Sequence, residues 1–158
     1  MDEAAKKAAL RLFTYGLYAI TTGDEQHWNA FTANWVSQVS FDPPLVALSV
    51  ENTSTSLPMI RQSRHFAVNV LTAEQRELAG RLGKPYARSP QKLDDLRMGT
   101  SETGCPVLLE TAAWVECVVE REMPAGDSTL MLGRVVDARM LQAEEPLTMR
   151  AAGFKHAG

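Results

Sequence analysis

The sequence predicts a mainly β domain whose strands form a small barrel with helices at its periphery. Segments with strand character outnumber those with helical character, and most strands follow one another through short turns, which favours antiparallel pairing. Closing such a sheet into a barrel removes its exposed edges. The chain has 158 residues, of which 45% are hydrophobic, so we expect one domain over residues 1–158 with a real core.

The first third of the chain is predicted to hold one helix and three strands. Residues 3–13 carry an apolar stripe at helical spacing. Residues 15–22 are aromatic and β-branched and end at a Gly-Asp turn, which indicates a hairpin with a second strand over about 29–40. A Pro-Pro pair ends that second strand because proline offers no N–H to the ladder. A third strand follows over residues 45–50.

The middle of the chain alternates between helix and strand patterns. A short helix is predicted over about 56–63, and residues 65–71 form a fourth strand with alternating faces. A second helix is expected over 73–82, capped by Thr72 and stopped by a Gly-Lys-Pro sequence. Residues 84–104 are polar and rich in turn formers, which indicates either an ordered excursion or a mobile lid.

Two further strands complete the predicted fold. Alternating patterns over 114–120 and about 129–137 are joined by a turn containing Gly126, Asp127 and Ser128. The tail over 142–158 shows only weak structural signals. These two strands are expected to pair as the last hairpin of the sheet.

Charge and composition exclude several classes of function. The formal net charge is −3, and the chain lacks the clustered basic residues that binding to nucleic acid requires. No apolar run approaches the ~20 residues of a membrane span, and the first residues do not resemble a signal peptide. We therefore expect a cytoplasmic protein that binds neither nucleic acid nor membrane.

No metal site is predicted from the sequence. The two cysteines are far apart and are expected to be buried as small hydrophobic residues. The three histidines show no metal-ligand spacing either. These five residues are Cys105, Cys117, His27, His65 and His156.

Polar residues on the second strand indicate a ligand pocket. Thr32, Asn34 and Ser37 lie on a run that should otherwise be core, and a buried polar group without a partner costs about 1–3 kcal/mol. A ligand rich in ring nitrogens and carbonyls would satisfy them. Pairing with neighbouring backbone or water is an equally open interpretation. Trp35 is typical of a core or an interface and by itself indicates little.

A hydroxyl-rich turn before the first short helix is the strongest candidate for an anion site. It comprises Thr53, Ser54, Thr55 and Ser56, and a helix N-terminus offers free N–H groups and a partial positive charge. The alternative is that Thr55 or Ser56 is simply an N-cap. Together, strand and turn predict a pocket for a planar ligand with a phosphate tail. No nucleophile triad and no Walker or dinucleotide glycine motif is present, so any difficult chemistry belongs to a cofactor.

From residue 15 to about residue 136, the chain resembles the flavin reductase-like family of FMN-binding split β-barrels. The ordered series of segments that carry the resemblance is Thr32-Ala33-Asn34-Trp35-Val36-Ser37, Pro43-Pro44-Leu45-Val46-Ala47-Leu48-Ser49-Val50, the turn with Thr55, Phe66-Ala67-Val68-Asn69-Val70-Leu71, Pro106-Val107-Leu108, Glu116-Cys117 and Gly126-Asp127.

This resemblance implies a homodimer with one FMN per protomer near the dimer interface. The residues it assigns to the isoalloxazine and ribityl chain are Thr32, Ala33, Asn34, Trp35 and Ser37, with Ser49 beside them, and those it assigns to the phosphate are Ser54 and Thr55. Lys84 or Lys92 is expected to add positive charge near the phosphate.

The resemblance also implies an FMN-dependent oxidoreductase that takes hydride from NADH or NADPH and passes electrons to free flavin or a protein acceptor. An alternative is an electron-transfer module that holds FMN and exchanges electrons with a protein partner. Many members carry Gly-Asp-His in the late hairpin, where this chain has Ser128, which places nucleotide use in doubt unless His156 compensates. A split barrel for another ligand, such as haem, is disfavoured because the pocket residues include no His or Cys. No catalytic residue is assigned.

Overall fold

A seven-stranded antiparallel sheet dominates the fold of this chain, which a computed structural model describes over residues 1–155. The strands of this sheet are β1 (Tyr18–Gly23), β2 (Trp28–Ala33), β3 (Val36–Phe41), β4 (Pro44–Glu51), β5 (His65–Val70), β8 (Ala113–Ala125) and β9 (Ser128–Met140). A separate hairpin contains β6 (Met98–Thr100) and β7 (Pro106–Leu108). The helices are α1 (Glu3–Leu10), α2 (Ser56–Ser63), α3 (Arg76–Leu82) and α4 (Met149–Ala152). The predicted mainly β class with peripheral helices is confirmed.

The sheet curls around one apolar core. Its strand order is β2-β1-β5-β8-β9-β4-β3, and all seven strands send side chains into the same cluster, together with Leu57 and Ile60 of α2. Phe66 and Leu48 are fully buried at its centre. Such a curl lets one face of every strand share one interior, as in a barrel.

The expectation of a closed barrel is not met by the hydrogen bonding. Within residues 1–155 the ladder ends at β2 on one side and at β3 on the other, and no ladder joins these two edges. The two edge strands are consecutive in the chain and are separated by only Asn34 and Trp35. The sheet is therefore an open one whose edges meet at this two-residue link.

This link also corrects the prediction of one strand over 29–40. Strand β2 pairs with β1, whereas β3 pairs with β4 at the opposite end of the strand order. One continuous strand cannot serve both edges, so the chain breaks at Asn34 and Trp35. The carbonyl oxygen of Trp35 accepts a hydrogen bond of 3.0 Å from the amide of Ser49 in β4, which secures the change of partner.

Other boundaries differ from the sequence prediction for reasons of packing. Helix α3 begins at Arg76 rather than residue 73, because the side chain of Gln75 accepts a hydrogen bond from the amide of Thr72 and holds residues 73–75 in a turn. None of the residues of α1 is buried against the described chain, although its apolar stripe predicted a buried face. The last two strands are 13 residues each, and the tail returns to bridge Gly16 through Thr148.

Residues 84–104 form an ordered excursion, since they contain two 3-10 turns, Tyr86–Arg88 and Pro90–Leu93, and the first strand of the β6–β7 hairpin. That hairpin packs its buried residues Cys105 and Val107 against Ala67 and Trp114 on the outer face of β5 and β8. Among residues 1–155, no helix combines the length and apolar character needed to cross a membrane.

Candidate functional site

A cavity of about 830 Å³ lies where the β2–β3 link, the start of α2 and the helix α3 come together. We call it the main cavity. The sequence-predicted residues that line it are Thr32, Ala33, Asn34, Trp35, Ser49, Ser54 and Thr55. They come from β2, the β2–β3 link, β4 and the turn before α2. The volume is within the range of sites that enclose a small molecule or cofactor.

Two amide side chains in the main cavity have polar atoms without a partner. The Nδ2 of Asn34 is buried and makes no hydrogen bond to any described residue. The Oδ1 of Asn29 is likewise buried without a partner in the described part of the chain, while its Nδ2 donates to Ser56 Oγ at 2.9 Å. One unsatisfied donor and one unsatisfied acceptor therefore belong to side chains that line the same cavity, and a ligand with carbonyls and ring nitrogens can pair with both.

The other two polar residues predicted on this run have partners within the protein. Thr32 donates its hydroxyl to the carbonyl oxygen of Ala79 in α3, so it ties this helix to β2. Ser37 is exposed and donates to the carbonyl oxygen of Gln38. It does not line the main cavity, because its neighbour Val36 packs against the core and alternation turns Ser37 the other way. A flavin contact for Ser37 stays a prediction that this cavity does not support.

The hydroxyl-rich turn places the N-terminus of α2 at the main cavity. The amide of Ser54 donates to the carbonyl of Glu51 at 3.0 Å, and Ser54 Oγ accepts from the amide of Ser56 at 3.2 Å. Thr55 occupies the N-cap position, but its side chain makes no capping hydrogen bond. The alternative interpretation of Thr55 as the N-cap residue is right in position, although its hydroxyl does not cap the helix. The amides of Ser56 and Leu57 both donate to Ser54 and Pro58 has no N–H, so the turn offers an anion the Thr55 hydroxyl and the positive end of the α2 dipole.

Three lysines line the main cavity, and they differ in role. Lys92 is buried, and its ammonium donates to the carbonyl oxygens of Leu82 at 3.2 Å and Lys84 at 3.0 Å. Burial lowers the pKa of Lys92. Its bonds hold the segment that follows α3 in place, which makes it a structural contact as well as a source of positive charge. Lys84 is exposed, and Lys155 lines the cavity from the tail.

The late hairpin lies beside the hydroxyl-rich turn but does not line the main cavity. The amide of Asn52 donates to the carbonyl of Asp127 at 2.9 Å, and Thr129 donates to Asn52 Oδ1 at 2.8 Å. Ser128 is buried and donates its hydroxyl to Asp127 Oδ1 at 3.2 Å. Here the hairpin supports the hydroxyl-rich turn. His156, the alternative considered from the sequence, lies outside the described residues.

Sequence reasoning missed several lining residues. Asn29 carries the same signal as Asn34, a polar side chain on a strand with buried neighbours, and could have been found by that rule. Two glycines, one in α3 and one at its C-cap, gave no signal in the sequence. Gly80 and Gly83 line the cavity, and a Cβ on Gly83 would stand 3.9 Å from Cβ of Thr32.

Residues 10–158 match the model of a protein family that is described as "Flavin reductase like domain". The chain belongs to this family. It is 35% identical over 146 residues to the FMN reductase (NADH) SmoA of Agrobacterium fabrum, an alignment that covers 92% of this chain and 81% of the relative. Three other curated relatives are longer, and the chain spans 62%, 57% and 42% of their lengths.

Solved structures agree with this assignment to the flavin reductase-like family. The flavin reductase PheA2 superimposes with a TM-score of 0.81 at 29% identity, covering 100% of this chain and 98% of that one. The NADH:FAD oxidoreductase SgcE6 of Streptomyces globisporus, in complex with NAD and FAD fragments, gives a TM-score of 0.84 at 26% identity, covering 99% and 93%. The fold of this flavin reductase-like chain is thus that of proteins named for flavin chemistry.

Proposed function

We propose that this flavin reductase-like chain is an NAD(P)H-dependent oxidoreductase that holds FMN in the main cavity and passes electrons to free flavin or to a protein partner. The single observation that carries the proposal is the unpartnered pair of Asn34 Nδ2 and Asn29 Oδ1 in a cavity that is also lined by the N-terminus of α2. A ligand with a planar ring and a phosphate tail fits this arrangement, because ring carbonyl and N–H groups can pair with the two asparagines and the phosphate can lie at the N-terminus of α2.

The residues present fit FMN in detail. Asn34 would donate to a ring carbonyl or nitrogen, and Asn29 would accept from a ring N–H or a ribityl hydroxyl. Ser54 and Thr55 would take the phosphate through their hydroxyls at the N-terminus of α2, where the helix dipole stabilises negative charge. Lys84 would add a cation whose side chain is exposed and can adjust.

FMN is the simplest flavin that fits this proposal, because its one phosphate meets the candidate anion site at the N-terminus of α2. SgcE6 is named for FAD and SmoA for FMN, so membership of the family admits both. Two comparisons of Kd test the proposal: a phosphate-dependent site prefers FMN to riboflavin, and a site for FMN binds FAD no more tightly than FMN.

The chain's own contribution to catalysis is binding and orientation. A bound flavin supplies the two-electron chemistry that no side chain of the main cavity offers. Asn34 and Asn29 would fix the ring in one orientation, and Thr32 keeps α3 against β2 so that the cavity wall does not move. Pre-organised donors of this kind stabilise negative charge on the ring without rearrangement.

A homodimer in the cytoplasm completes the proposal. Several large apolar side chains are exposed on the edge strand β3 and on the β8–β9 hairpin. They are Val39 at 53%, Phe41 at 91%, Met123 at 56% and Met140 at 73%. Apolar area of this extent on one sheet suits contact with a second copy, and light scattering of the purified chain tests it.

The experiment that tests the function is an anaerobic absorbance scan of the purified chain with FMN, before and after NADH or NADPH. Rapid bleaching of a bound flavin supports the oxidoreductase. A bound flavin that ignores both nucleotides but bleaches with dithionite overturns nucleotide use and favours the electron-transfer module. Failure to bind FMN overturns the assignment of the main cavity.

A further inference from the structure

A second cluster of reactive side chains lies away from the main cavity, on the outer face of the sheet. One ligand atom each from His65, Cys105 and Glu116 lies within 4.8 Å of the other two. None of these three residues lines the main cavity. They come from β5, from the end of the β6–β7 loop and from β8, so only the fold brings them together.

The sheet register places the first two of these ligands side by side. Glu116 of β8 lies opposite Ala67 of β5, and His65 is on the same face as Ala67 because it is two residues away. His65 and Glu116 are therefore diagonal neighbours across the strand pair, within reach of long side chains.

The β6–β7 loop presents the third ligand on a well-ordered turn. The amide of Ser101 donates to the carbonyl of Cys105 at 3.0 Å, and the amide of Gly104 donates back to the carbonyl of Ser101 at 3.1 Å. Gly104 has a φ of +86°, which a glycine adopts without strain. The amide of Cys105 is also held by Ser101 Oγ at 3.1 Å. The thiol of Cys105 is thus pre-positioned over the strand pair.

His65 has the hydrogen bond that orients a metal-binding imidazole. Its Nε2 lies 2.8 Å from the carbonyl oxygen of Gly23, and since a carbonyl only accepts, Nε2 carries the proton. This leaves Nδ1 as the ring nitrogen with a lone pair. Thr103 Oγ1, which also donates to Glu116, lies 3.4 Å from Nδ1, so Nδ1 faces the cluster. Metal-bound histidines almost always donate their other N–H to such a carbonyl or to a carboxylate.

Glu116 supplies an independent observation that a ligand belongs here. Its side chain is 0% exposed, and its Oε1 accepts a hydrogen bond from Thr103. Its Oε2 is buried and has no hydrogen-bond partner within residues 1–155. A buried carboxylate with an unsatisfied oxygen is costly unless it pairs with a charge or a metal.

We propose that His65, Cys105 and Glu116 bind a divalent cation of the zinc class. Imidazole, thiolate and carboxylate are the three ligand types that Zn²⁺ takes in proteins. Donor atoms around a tetrahedral Zn²⁺ stand roughly 3.3–3.8 Å apart, so side-chain movements of about 1 Å close the site. Thr103 is exposed, which gives the ion an access route, and its position leaves the fourth place to the threonine hydroxyl or a water. The ion would join β5, β8 and the β6–β7 hairpin.

The test uses the full chain after treatment with a chelator, titrated with Zn²⁺ by calorimetry and with Co²⁺ by absorbance. We expect one equivalent of each metal to bind and Co²⁺ to produce a thiolate-to-cobalt charge-transfer band. Glu116→Gln and Cys105→Ser each remove one ligand, and each should weaken Zn²⁺ binding by on the order of 100-fold or more, at or beyond what second-shell changes cost.

The matched control is Cys117→Ser, which changes the other buried thiol. Cys117 follows Glu116 directly but packs into the core on the opposite face of the sheet, so its variant should keep the parent affinity and the cobalt band. Circular dichroism and FMN titration of each variant separate loss of a ligand from loss of the fold. Absence of the charge-transfer band in the parent, or equal Zn²⁺ affinity in the parent, Glu116→Gln and Cys105→Ser, overturns the site. Neither result bears on the proposed flavin function.

Discussion

Replacing Asn34 by alanine separates ligand binding from stability more sharply than any other change in the main cavity. The Nδ2 of Asn34 is buried without a partner among the described residues, so in the flavin-free protein it stabilises nothing through hydrogen bonding. In the proposed complex the same atom donates to the flavin. The variant Asn34→Ala should therefore weaken FMN binding and leave the flavin-free fold as stable as before.

The magnitude follows from the balance of hydrogen bonds. A hydrogen bond between neutral groups contributes about 0.5–1.5 kcal/mol net, and about 1.4 kcal/mol corresponds to a tenfold change in Kd. The loss of one such bond predicts a Kd for FMN that rises roughly 2- to 13-fold. The free energy of unfolding of the flavin-free chain should change by less than about 0.5 kcal/mol, as for substitutions that break no native contact.

The assay is a titration of FMN fluorescence or absorbance for Kd, combined with urea unfolding of the flavin-free protein. Ser37→Ala is the matched control, since Ser37 lies on the same run of sequence but is exposed and outside the main cavity. An Asn34→Ala variant that binds FMN as tightly as the parent would refute the assignment of the amide. A variant with intact affinity for flavin but a large loss of unfolding free energy would show that the amide has a structural partner.

Three further predictions concern the same structure. Thr55→Ala should raise the Kd for FMN by roughly 10- to 150-fold, because bonds to charged groups are worth about 1.5–3 kcal/mol, and should leave the Kd for riboflavin unchanged; equal losses for both flavins would remove Thr55 from the phosphate site. Thr32→Val should lower the free energy of unfolding by about 1 kcal/mol in a urea titration, since the hydrogen bond that joins β2 to α3 is lost and the carbonyl of Ala79 keeps only the amide of Gly83 as donor, and an unchanged midpoint would contradict that role. Burial raises the pKa of Cys117 to about 12 and raises that of Cys105 further. After chelator treatment, neither thiol should therefore react with a thiol reagent at neutral pH until denaturant is added. Rapid labelling of the native chain would show instead that the thiols are accessible.

Local sequence patterns predicted most elements of the fold because each depends on neighbours in the chain. The alternation over residues 65–71 indicated β5, and a short helix over about 56–63, with Pro58 tolerated near its start, anticipated α2, both with nearly the observed bounds. Long-range pairing was less accessible. Strands β8 and β9 are each 13 residues long and pair with each other, which takes them well beyond the alternating segments. Two paired strands satisfy each other's backbone hydrogen bonds even where no core lies beneath them.

The break at Asn34 and Trp35 shows why local reasoning failed in the most important segment. Residues 29–40 have strand character, and although Asn34 is a residue type common in turns, no Gly or Pro marks a break between them. The interruption is imposed by the two opposite sheet edges that β2 and β3 must serve. The same event directs Asn34 to the main cavity and places Ser37 outside it.

From the sequence alone, one could derive the mainly β class, the positions of most strands and helices, and a polar segment and a hydroxyl-rich turn suited to a planar ligand with a phosphate. These follow from periodicity, propensity and capping chemistry, which act over a few residues. Only the tertiary structure decided that Thr32 bonds to α3, that Asn29 and Asn34 retain unpaired atoms, and that His65, Cys105 and Glu116 converge. Each of these depends on contacts between segments tens of residues apart, and the geometry of such contacts is determined by the packing of the whole sheet.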